Sequence, residues 1–581
     1  MNAVEINGLT YTYPGASQPT LNDITLQIQK GDFLAVVGNN GCGKSTLCKV
    51  LNGLIPHFIT GTMEGSVRVE GLDTRESDVG VLAQKVGYVY QDFENQIVRP
   101  TVLDDASYSC LNYAFPDYLQ RGKAALGQCG LEGREEEYVW QLSGGQTHLL
   151  ALAGAVSLSP DILILDEPIA QLDPMHADRI YEVLRDLNEN HGKTILVIEH
   201  HTEYIADYCK HVMLMRDGQV RWILPTENAL QRVEELEACN IFPPQVTQAA
   251  HRLRQGGQFP AQVPLPTTVD QGKTAFSALT YRAPASPAQT PAPAQETAVS
   301  FRDVSLSYRS VKGEPRTIFD GLDLDIRKGE KVALIGSNGA GKSTLFLNLN
   351  GVLQPSDGEI LLDGVPVKRD RKGLTELRRR VGIVFQDPDD QLFSADVYRD
   401  ISFGAVNLGL PEAEVRRRVE AAMERTGVSH LRDKPTHALS FGQKKRVAIA
   451  GVLVMEPEAL ILDEPTAGLD PQGVSDLLEL LTSLRDSQGM TILMATHDMD
   501  VVPLCCDYAY LLGGGSVLAQ GTPEELFTKA ELLRANHLRL PRIAHLMAIL
   551  RDRDGLDVTP VGTIGAARRE LLRLLKQEEL L

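Results

Sequence analysis

The sequence has no uninterrupted apolar run of the roughly 18–20 residues that a membrane-spanning helix requires. The longest candidate, residues 149–165, is interrupted by Ser157, Ser159, Pro160 and Asp161. The first residues also lack the basic and apolar segments of a secretory signal peptide. These absences predict a chain with neither a membrane span nor an export signal.

Positive charge is scarce as well. The sequence carries 57 Lys and Arg against 76 Asp and Glu, a formal net charge of −19. A general nucleic-acid-binding protein needs a basic face, so this balance argues against nucleic acid as a partner. The eight cysteines are scattered without C-x-x-C spacing, which predicts reduced thiols in a cytosolic protein. We expect Cys42 and the adjacent Cys505 and Cys506 to be small packing residues.

The length and an internal repeat together indicate duplicated domains. A chain of 581 residues is too long for one hydrophobic core. The segment VEINGLTYTY at residues 4–13 corresponds to VSFRDVSLSY at residues 299–308, and a repeat of this length indicates two copies of one domain. We expect a first domain over residues 1–238, an appendage over 239–282, an Ala- and Pro-rich linker over 283–298, a second domain over 299–522, and a C-terminal helical appendage over 523–581.

Each half contains a glycine-rich loop of the form G-x-x-x-x-G-K-[ST], namely GNNGCGKS from Gly38 and GSNGAGKS from Gly336. Both loops follow an apolar run typical of a buried strand and precede a helical pattern, the context of a nucleotide-binding loop. The glycines let backbone N–H groups turn inward around a phosphate, and the helix N-terminus adds partial positive charge. Lys44 and Lys342 are expected to reach the β- and γ-phosphates. The serines that follow, Ser45 and Ser343, offer a hydroxyl to Mg²⁺.

Two further motifs in each half supply polar groups for phosphate binding. The apolar strands VGYVY and VGIVF deliver Gln91 and Gln386 into loops, where an amide is expected to coordinate Mg²⁺ and sense the γ-phosphate. The motifs LSGGQ and LSFGQ then open helices that we predict over residues 147–157 and 444–455. A serine and exposed backbone N–H groups at a helix start form an anion site, here suited to a γ-phosphate.

Acidic residues follow one apolar strand in each half, and a histidine follows another. Fully apolar strands are typical of a sheet covered on both faces, and α/β sheets bind ligands at the C-terminal ends of such strands. The strand-ending carboxylates are Asp166, Glu167, Asp463 and Glu464. Because His200 and His497 occupy matching positions after the next strand, we interpret them as γ-phosphate contacts.

This ordered set of motifs resembles the ABC ATPase family twice over, across nearly the whole chain outside the linker and tails. In that family the set comprises an adenine-stacking tyrosine, Walker A, the Gln loop, the signature, Walker B with its glutamate, the Asp loop and the switch histidine. The resemblance implies an α/β fold with two P-loop NTPase domains in one chain, each with a helical subdomain and a small C-terminal helical appendage. It also implies ATP hydrolysis with Mg²⁺, and head-to-tail pairing of the two domains.

The resemblance assigns roles residue by residue. The catalytic residues are Glu167 and Glu464, which would polarise the attacking water, and His200 and His497, which would hold the γ-phosphate. The ATP-binding residues of the first half are Tyr13, Gly38, Asn39, Gly41, Gly43, Lys44, Ser45, Thr46, Gln91, Ser143, Gly144, Gly145 and Asp173. Those of the second half are Tyr308, Gly336, Ser337, Asn338, Gly339, Gly341, Lys342, Ser343, Thr344, Gln386, Ser440, Gly442 and Asp470. The Mg²⁺ ligands are Ser45, Gln91, Asp166, Ser343, Gln386 and Asp463.

Head-to-tail pairing implies that Lys44 and its neighbours act with Ser440 and Gly442 on one ATP, while Lys342 acts with Ser143 on the other. Three departures from the family pattern bear on whether these two sites are equal. Phe441 replaces a signature glycine, Gln171 replaces the Asp-loop glycine seen as Gly468, and Thr147-His148-Leu149 stands where the second half has Lys444-Lys445-Arg446. Since every catalytic group is present twice, we expect two competent sites.

The subgroup is indicated by QDPDDQLF at residues 386–393 and VYRDISFG at 397–404, with a looser copy from Gln91. These segments resemble the energising subunits of energy-coupling-factor (ECF) importers, which take up vitamins or nickel and cobalt ions. The resemblance implies a peripheral subunit on the cytoplasmic face of the membrane that never touches the cargo. Integral-membrane subunits would dock beside the Gln loops, where their arginines would pair with Asp92, Glu94, Asp387, Asp389 and Asp390.

Two other functions are compatible with a tandem ABC ATPase. A soluble protein acting on ribosomes would favour basic surfaces and a long charged helical linker, whereas this chain is acidic and its linker is rich in Ala and Pro. A tandem ATPase of a sugar-type importer would have one degraded site, whereas neither set of motifs is degraded here. The sequence does not identify the transported substrate.

Overall fold

The computed structural model describes residues 2–91, 93–170, 172–279, 296–309, 315–337 and 339–575, with the side chains of Glu94, Tyr308, Arg309, Pro315 and Arg316 excepted. Several predicted features lie outside this described part: Asn338, the Tyr308 side chain, Asp92, the Glu94 side chain, Gln171 and linker residues 283–295. The chain divides into two compact units, an N-terminal unit over residues 1–276 and a C-terminal unit over 277–581.

The N-terminal unit contains ten strands. They are β1 (Asn2–Thr12), β2 (Leu21–Gln29), β3 (Phe33–Val37), β4 (Thr62–Val69), β5 (Leu72–Asp73), β6 (Val86–Val89), β7 (Ile162–Asp166), β8 (Thr194–Ile198), β9 (His211–Arg216) and β10 (Gln219–Pro225). Strands β3, β7 and β8 are buried at every position, as expected for strands with helices on both faces of the sheet.

The helices of this unit follow the same order along the chain, and the last of them ends one residue beyond the unit. They are α1 (Lys44–Leu51), α2 (Leu54–His57), α3 (Val79–Ala83), α4 (Val102–Asn112), α5 (Tyr118–Gln128), α6 (Gly144–Val156), α7 (Pro174–Glu189), α8 (Thr202–Tyr208), α9 (Thr226–Leu230), α10 (Val233–Glu237), α11 (Gln245–Gln255) and α12 (Val269–Ser277).

The C-terminal unit repeats this arrangement of strands. They are β11 (Thr297–Arg309), β12 (Pro315–Arg327), β13 (Lys331–Ile335), β14 (Asp357–Leu362), β15 (Val365–Pro366), β16 (Val381–Val384), β17 (Ala459–Asp463), β18 (Thr491–Thr496), β19 (Tyr508–Gly513) and β20 (Ser516–Gly521).

Eleven helices accompany these strands within the described part of the C-terminal unit. They are α13 (Lys342–Leu349), α14 (Arg371–Arg380), α15 (Val397–Asn407), α16 (Glu412–Arg425), α17 (Phe441–Leu453), α18 (Pro471–Gln488), α19 (Val502–Cys505), α20 (Pro523–Phe527), α21 (Ala530–Ala535), α22 (Arg542–Asp552) and α23 (Ile564–Leu574).

Each unit has two sheets with matching strand orders. The smaller sheets are antiparallel, with orders β2-β1-β4-β5 and β12-β11-β14-β15. The larger sheets have the orders β10-β9-β3-β8-β7-β6 and β16-β17-β18-β13-β19-β20, and they are parallel except for the β9–β10 and β19–β20 pairs. The α/β fold predicted from the motifs is therefore confirmed, and the strands that carry them are neighbours in the sheet.

The larger sheet of each unit has a cluster of buried apolar side chains on each of its two faces. In the N-terminal unit, one apolar cluster joins the sheet to the small sheet and α1, and the other joins it to α4–α8. The C-terminal unit repeats both clusters around its own sheet and adds a third beneath α20–α22. Because apolar side chains cover both faces, the loops at the strand ends are left to bind ligands.

The two signature helices begin three residues earlier than predicted. We placed their starts at residues 147 and 444, whereas α6 begins at Gly144 and α17 at Phe441. The reason is local: Ser143 and Ser440 act as N-caps, each closing a capping box with a glutamine three residues later. Helices α11 and α22 lie in the predicted appendages and each follows a proline. Within the described residues no helix is both long and apolar enough to span a bilayer.

Candidate active site

Positive backbone angles shape both phosphate-binding loops. Gly38 has φ +153°, and a Cβ placed there would lie 2.3 Å from the carbonyl oxygen of Met215. Gly43, at the start of α1, has φ +105°, and Gly341, at the start of α13, has φ +98°. These angles are open to glycine and disfavoured for other residues, so the loop conformation depends directly on the G-x-x-x-x-G-K spacing.

The loop lysines are held inside their own loops. The ammonium Nζ of Lys44 donates to the backbone oxygen of Gly38 at 2.7 Å and to that of Asn39 at 3.1 Å. Nζ of Lys342 donates to the backbone oxygen of Gly336 at 2.6 Å. Both lysines are only 6% exposed. An ammonium group is therefore buried at the centre of each loop, where a bound phosphate would compensate its charge.

The Walker B carboxylates Asp166 and Asp463 end strands β7 and β17, next to the loop serines. Asp166 hydrogen-bonds with Ser45, and Asp463 with Ser343. Burial raises the pKa of both aspartates despite these hydrogen bonds. Oδ1 of Asp463 is buried without a hydrogen-bond partner among the described residues. A serine hydroxyl beside a buried carboxylate with unused oxygen capacity is a donor set that fits Mg²⁺.

The glutamates that follow have strained backbones. Glu167 has φ +50° and Glu464 has φ +41°, values that cost free energy in residues other than glycine. Each glutamate N–H donates across to the neighbouring strand, to Ile198 or Ala495, at 3.0 Å. This bond fixes the glutamate at the C-terminal edge of the sheet, beside the aspartate that ends the strand.

In the N-terminal unit the Glu167 carboxylate contacts the predicted Gln-loop and switch residues. Nε2 of Gln91 donates to its Oε2 at 2.8 Å, and Nε2 of His200 lies 3.2 Å from its Oε1. Burial alone would raise the pKa of Glu167, but His200 and the charge of Lys44 outweigh burial and lower the pKa. Nδ1 of His200, the ring nitrogen that does not face Glu167, is buried without a hydrogen-bond partner among the described residues. This nitrogen is therefore available to a ligand.

In the C-terminal unit Glu464 has different neighbours. Its Oε1 lies 2.9 Å from Nδ1 of His497 and 3.5 Å from Nζ of Lys342. Burial would raise the pKa of Glu464 and lower that of His497, but their mutual attraction dominates in both, so the pKa of Glu464 is lowered and that of His497 raised. The glutamate, histidine and loop lysine thus form one buried charged cluster.

Tyr13 lies beside the first phosphate-binding loop, as an adenine-stacking residue requires. Its hydroxyl is 3.2 Å from Oγ1 of Thr46, and its ring packs edge-on against Tyr11 at 5.0 Å between centroids. The ring is half-buried, so part of it stays open to a ligand.

The signature serines do not contribute to the phosphate-binding loop of their own unit. Oγ of Ser143 accepts from the N–H of Gln146, and Oγ of Ser440 accepts from that of Gln443, each at 3.4 Å. None of the hydrogen bonds that each serine makes in the described part of the chain reaches the phosphate-binding loop of its own unit.

The Asp-loop residues cap the following helices and contact the signatures differently in the two units. Oδ1 of Asp173 accepts from the N–H and Nδ1 of His176, whereas Oδ1 of Asp470 accepts from the N–H of Gly473. The His176 ring packs on signature residue Gly145, where an added Cβ would lie 2.0 Å from its Cδ2. In the C-terminal unit the ring of Phe441 packs instead on Gly468.

The contact between His176 and Asp173 predicts a pH-dependent contribution to stability. Hydrogen bonding to Asp173 raises the pKa of His176, so this contribution is complete below the ordinary histidine pKa and is lost as pH rises through the raised value. We expect His176→Gln to destabilise the protein by about 0.5–1 kcal/mol more at pH 6 than at pH 9, measured as the shift in thermal melting. His191→Gln, which alters an exposed contact with Asp186, is the control. An equal shift at both pH values would contradict the prediction.

The Gln-loop acids already have partners within the chain. Oδ1 of Asp389 lies 2.6 Å from Nζ of Lys444, and Oδ1 of Asp387 accepts from the N–H of Asp389. The signature helix thus supplies a cation to Asp389 within the same unit, and pairing of the Gln-loop acids with arginines of another subunit stays a prediction.

Sequence reasoning did not identify several residues that support the site. Asp105 and Asp400 are buried, and each accepts two backbone N–H groups from the segment after the Gln loop. Tyr88 donates from its hydroxyl to Asp166 at 3.3 Å. His148 and Lys445, already distinguished in the sequence as a difference between the halves, are both buried. For Asp105 and Asp400 the available signal was an aspartate at matching positions of both halves within an apolar helical pattern.

The profile of the ABC transporter family matches residues 21–170 and 319–467, one match in each unit and together more than half of the chain. The chain belongs to the ABC transporter family. Both units are ABC ATPase domains, which hydrolyse ATP to energise transport across a membrane. The prediction of a tandem ABC ATPase is therefore confirmed.

Similar chains cover either the whole protein or one half. The chain is 34% identical over 577 residues to an ABC transporter ATP-binding protein of Methanosarcina acetivorans, with 97% of this chain and 92% of the relative covered. It is 58% identical over 252 residues to the energy-coupling factor transporter ATP-binding protein EcfA3 of Clostridium perfringens, covering 43% of this chain and 88% of the relative. It is 50% identical over 261 residues to the energy-coupling factor transporter ATP-binding protein EcfA of Methanocaldococcus jannaschii, covering 45% of this chain and 93% of the relative.

Proposed function

We propose that this ABC ATPase energises an ECF-type importer for a vitamin or a transition-metal ion. The observation that carries the proposal is the 58% identity of one half to an energy-coupling factor transporter ATPase, together with complete catalytic sets in both units. In this proposal the chain lies on the cytoplasmic face of the membrane as a peripheral subunit and does not contact the cargo.

The catalytic roles proposed for the buried residues follow from their contacts. Lys44 and Lys342 bind the β- and γ-phosphates once ATP replaces the loop carbonyls that now hold them. Glu167 and Glu464 polarise the attacking water as general bases, a role open to them because each carboxylate stays ionised despite its burial. His200 and His497 orient these carboxylates and face the γ-phosphate.

The residues that fit Mg²⁺ are Ser45 with Asp166 and Ser343 with Asp463, joined by the amides of Gln91 and Gln386. When bound, Mg²⁺ neutralises charge on the transferring phosphoryl group. The serine hydroxyls and aspartates would hold the cation, and the glutamine amides would link it to the Gln loops. The amide of Gln91 already reaches the site, where it donates to Glu167 at 2.8 Å. The amide is thereby placed to report the presence of the γ-phosphate to the Gln loop.

We further propose that each ATP is bound by one unit's phosphate-binding loop and the other unit's signature. Supporting this, the signature serines Ser143 and Ser440 cap their helices without contacting the loop of their own unit. Both helices are longer than eight residues and begin with an N-capping serine. The backbone N–H groups of the first turn have no acceptor within the helix, so they can bind an anion. The pairing gives two composite sites within one chain.

Exposed apolar side chains beside the Gln loops favour a membrane-subunit partner. In the C-terminal unit Phe393 is 66% exposed and packs edge-on against Phe403, with Val406 on the same helix, α15, also exposed. In the N-terminal unit Val98 is 59% exposed and Leu111 lies on the matching helix α4. Contiguous apolar groups of this kind mark interaction surfaces, and an amphipathic helix of a partner would cover them.

The docking proposal predicts a large effect of Phe393→Ser. Removing this exposed ring takes away a central apolar contact, which typically costs a protein interface about 2 kcal/mol or more. We expect the variant to lose co-purification with small integral-membrane proteins in detergent when expressed in its native cells. Val352→Ser, an equally exposed apolar residue elsewhere in the same unit, is the matched control and should retain its partners.

Two results would count against the docking proposal. One is retention of membrane partners by Phe393→Ser at the wild-type level. The other is sedimentation of the wild-type chain with ribosomes in a salt-dependent manner and not with membranes, which would favour the ribosomal alternative.

A further inference from the structure

Lys445 is a charged residue in the interior of the C-terminal unit. It lies in the second turn of the signature helix α17, and it is 1% exposed. Its Nζ donates to the backbone oxygen of Gln386 at 2.6 Å and to the backbone oxygen of Glu464 at 3.4 Å. One amine therefore joins three elements that are distant in sequence: the signature helix, the Gln loop and the peptide of the glutamate after β17.

The N-terminal unit has a different connection at the matching position. His148 packs its ring on Phe93 of the Gln loop, with 3.4 Å between ring centroids, and its Nδ1 contacts the backbone oxygen of Gly144 in its own helix. Among the described residues it makes no hydrogen bond to the backbone of Gln91 or Glu167. The N-terminal connection is thus a tilted contact between two rings, whereas the C-terminal one is a directional charged contact.

Burying an ammonium group is costly unless other groups compensate its charge. Burial lowers the pKa of Lys445 to about 8, although the carboxylates of Asp387, Asp463 and Glu464 favour the charged form. The two carbonyl oxygens accept hydrogen bonds from the ammonium group. A well-packed apolar side chain of similar volume would stabilise the fold at least as well. The buried ammonium group is therefore better explained by its effect on position than by its effect on stability. Its hydrogen bonds fix the Gln386 and Glu464 peptides relative to α17.

We infer that Lys445 is a positioning residue that couples the signature helix to the Gln loop and the catalytic glutamate of the C-terminal unit. Because Ser440 caps α17 and Lys445 lies on the same helix, a shift of the signature is transmitted through Lys445 to Gln386 and Glu464. The inference rests on the functions proposed above for these two residues. It also makes the two units unequal, since His148 provides no such link.

Lys445→Met, Lys445→Gln and Lys444→Met test this inference in the full-length protein. Methionine keeps the length of the side chain without a donor, glutamine keeps one N–H donor, and Lys444→Met removes the neighbouring contact with Asp389 as a matched control. Hydrogen–deuterium exchange reports backbone order of residues 384–392 and 464–469, and steady-state phosphate release separates kcat from KM. A melting curve for each variant reports folding.

We expect Lys445→Met to raise amide exchange in both peptides and to lower kcat about tenfold, with KM for ATP within about twofold, because two buried acceptors lose their donor. Lys445→Gln should fall between this variant and the wild type, and it decides the question if Lys445→Met does not fold. Peptides covering residues 88–91 and 166–169 should exchange as in the wild type.

Unchanged exchange at residues 384–392 would overturn the inference, as would equal losses of kcat in Lys445→Met and Lys444→Met. Absence of ATP turnover by the wild-type chain would instead contradict the proposed function, and the exchange measurement would still decide whether Lys445 holds the two peptides.

Discussion

Replacing Glu167 and Glu464 together by glutamine is expected to abolish ATP turnover. Each carboxylate lies at the C-terminal edge of its sheet with a histidine beside it, and its pKa is lowered despite burial, so it is ionised as a general base must be. Loss of a general base typically lowers the rate by about 100- to 10,000-fold, and glutamine keeps the shape of the side chain. We expect phosphate release by the double variant to fall within this range.

Nucleotide binding should survive this change, because phosphate contacts come from the loop lysines and backbone N–H groups. Equilibrium binding of ATP with Mg²⁺ is therefore the companion measurement, and its dissociation constant should stay within a few-fold of the wild-type value. Glu189→Gln combined with Glu479→Gln changes exposed glutamates of α7 and α18 and serves as the control pair. A double Glu167/Glu464 variant that hydrolyses ATP at the wild-type rate would contradict the proposed catalytic roles.

The single variants Glu167→Gln and Glu464→Gln test whether the two units are equivalent. Glu167 contacts Gln91 and His200, whereas Glu464 contacts His497 and Lys342. Removing the Glu464 carboxylate takes a buried negative charge away from Lys342 and His497, so Glu464→Gln should lower thermal stability more than Glu167→Gln does. Equal melting shifts would contradict this difference between the units.

Local motifs predicted the larger part of the fold and of the candidate sites. The G-x-x-x-x-G-K-[ST] spacing implied a strand, a loop with positive backbone angles and a helix, and the structure has this order at β3–α1 and β13–α13. The apolar runs ending in Asp166 and Asp463 are buried strands whose neighbours in the sheet carry the other motifs. Such features are encoded within a few residues, so one sequence suffices to predict them.

Contacts between distant segments were beyond sequence reasoning. Helix α6 starts directly after Ser143, which caps it. The apolar periodicity that predicts a helix starts later in the sequence, because the first two residues of α6 are glycines. The packing of His176 on Gly145 and the burial of Lys445 depend on how separate helices approach the sheet. The same holds for Lys44 and Lys342, which the motif assigns to phosphates but which here bind the loop carbonyls.

The second large effect concerns which signature serves which phosphate-binding loop. Lys44→Met removes the cation of the first loop, and losing a phosphate-binding lysine is expected to remove most turnover at that site, about 100-fold or more. Ser440→Arg and Ser143→Arg each place a bulky cation at the helix start that would receive a γ-phosphate. In the proposed head-to-tail pairing, Lys44 and Ser440 belong to one ATP site, and Lys342 and Ser143 belong to the other.

Phosphate release by two double variants tests this pairing most directly. If the pairing is right, Lys44→Met with Ser440→Arg damages one site twice and retains the turnover of Lys44→Met alone. Lys44→Met with Ser143→Arg damages both sites and falls to the level of the double Glu167/Glu464 variant. The opposite order, or the same residual rate in both double variants, would contradict the existence of two composite sites shared between the halves of this chain.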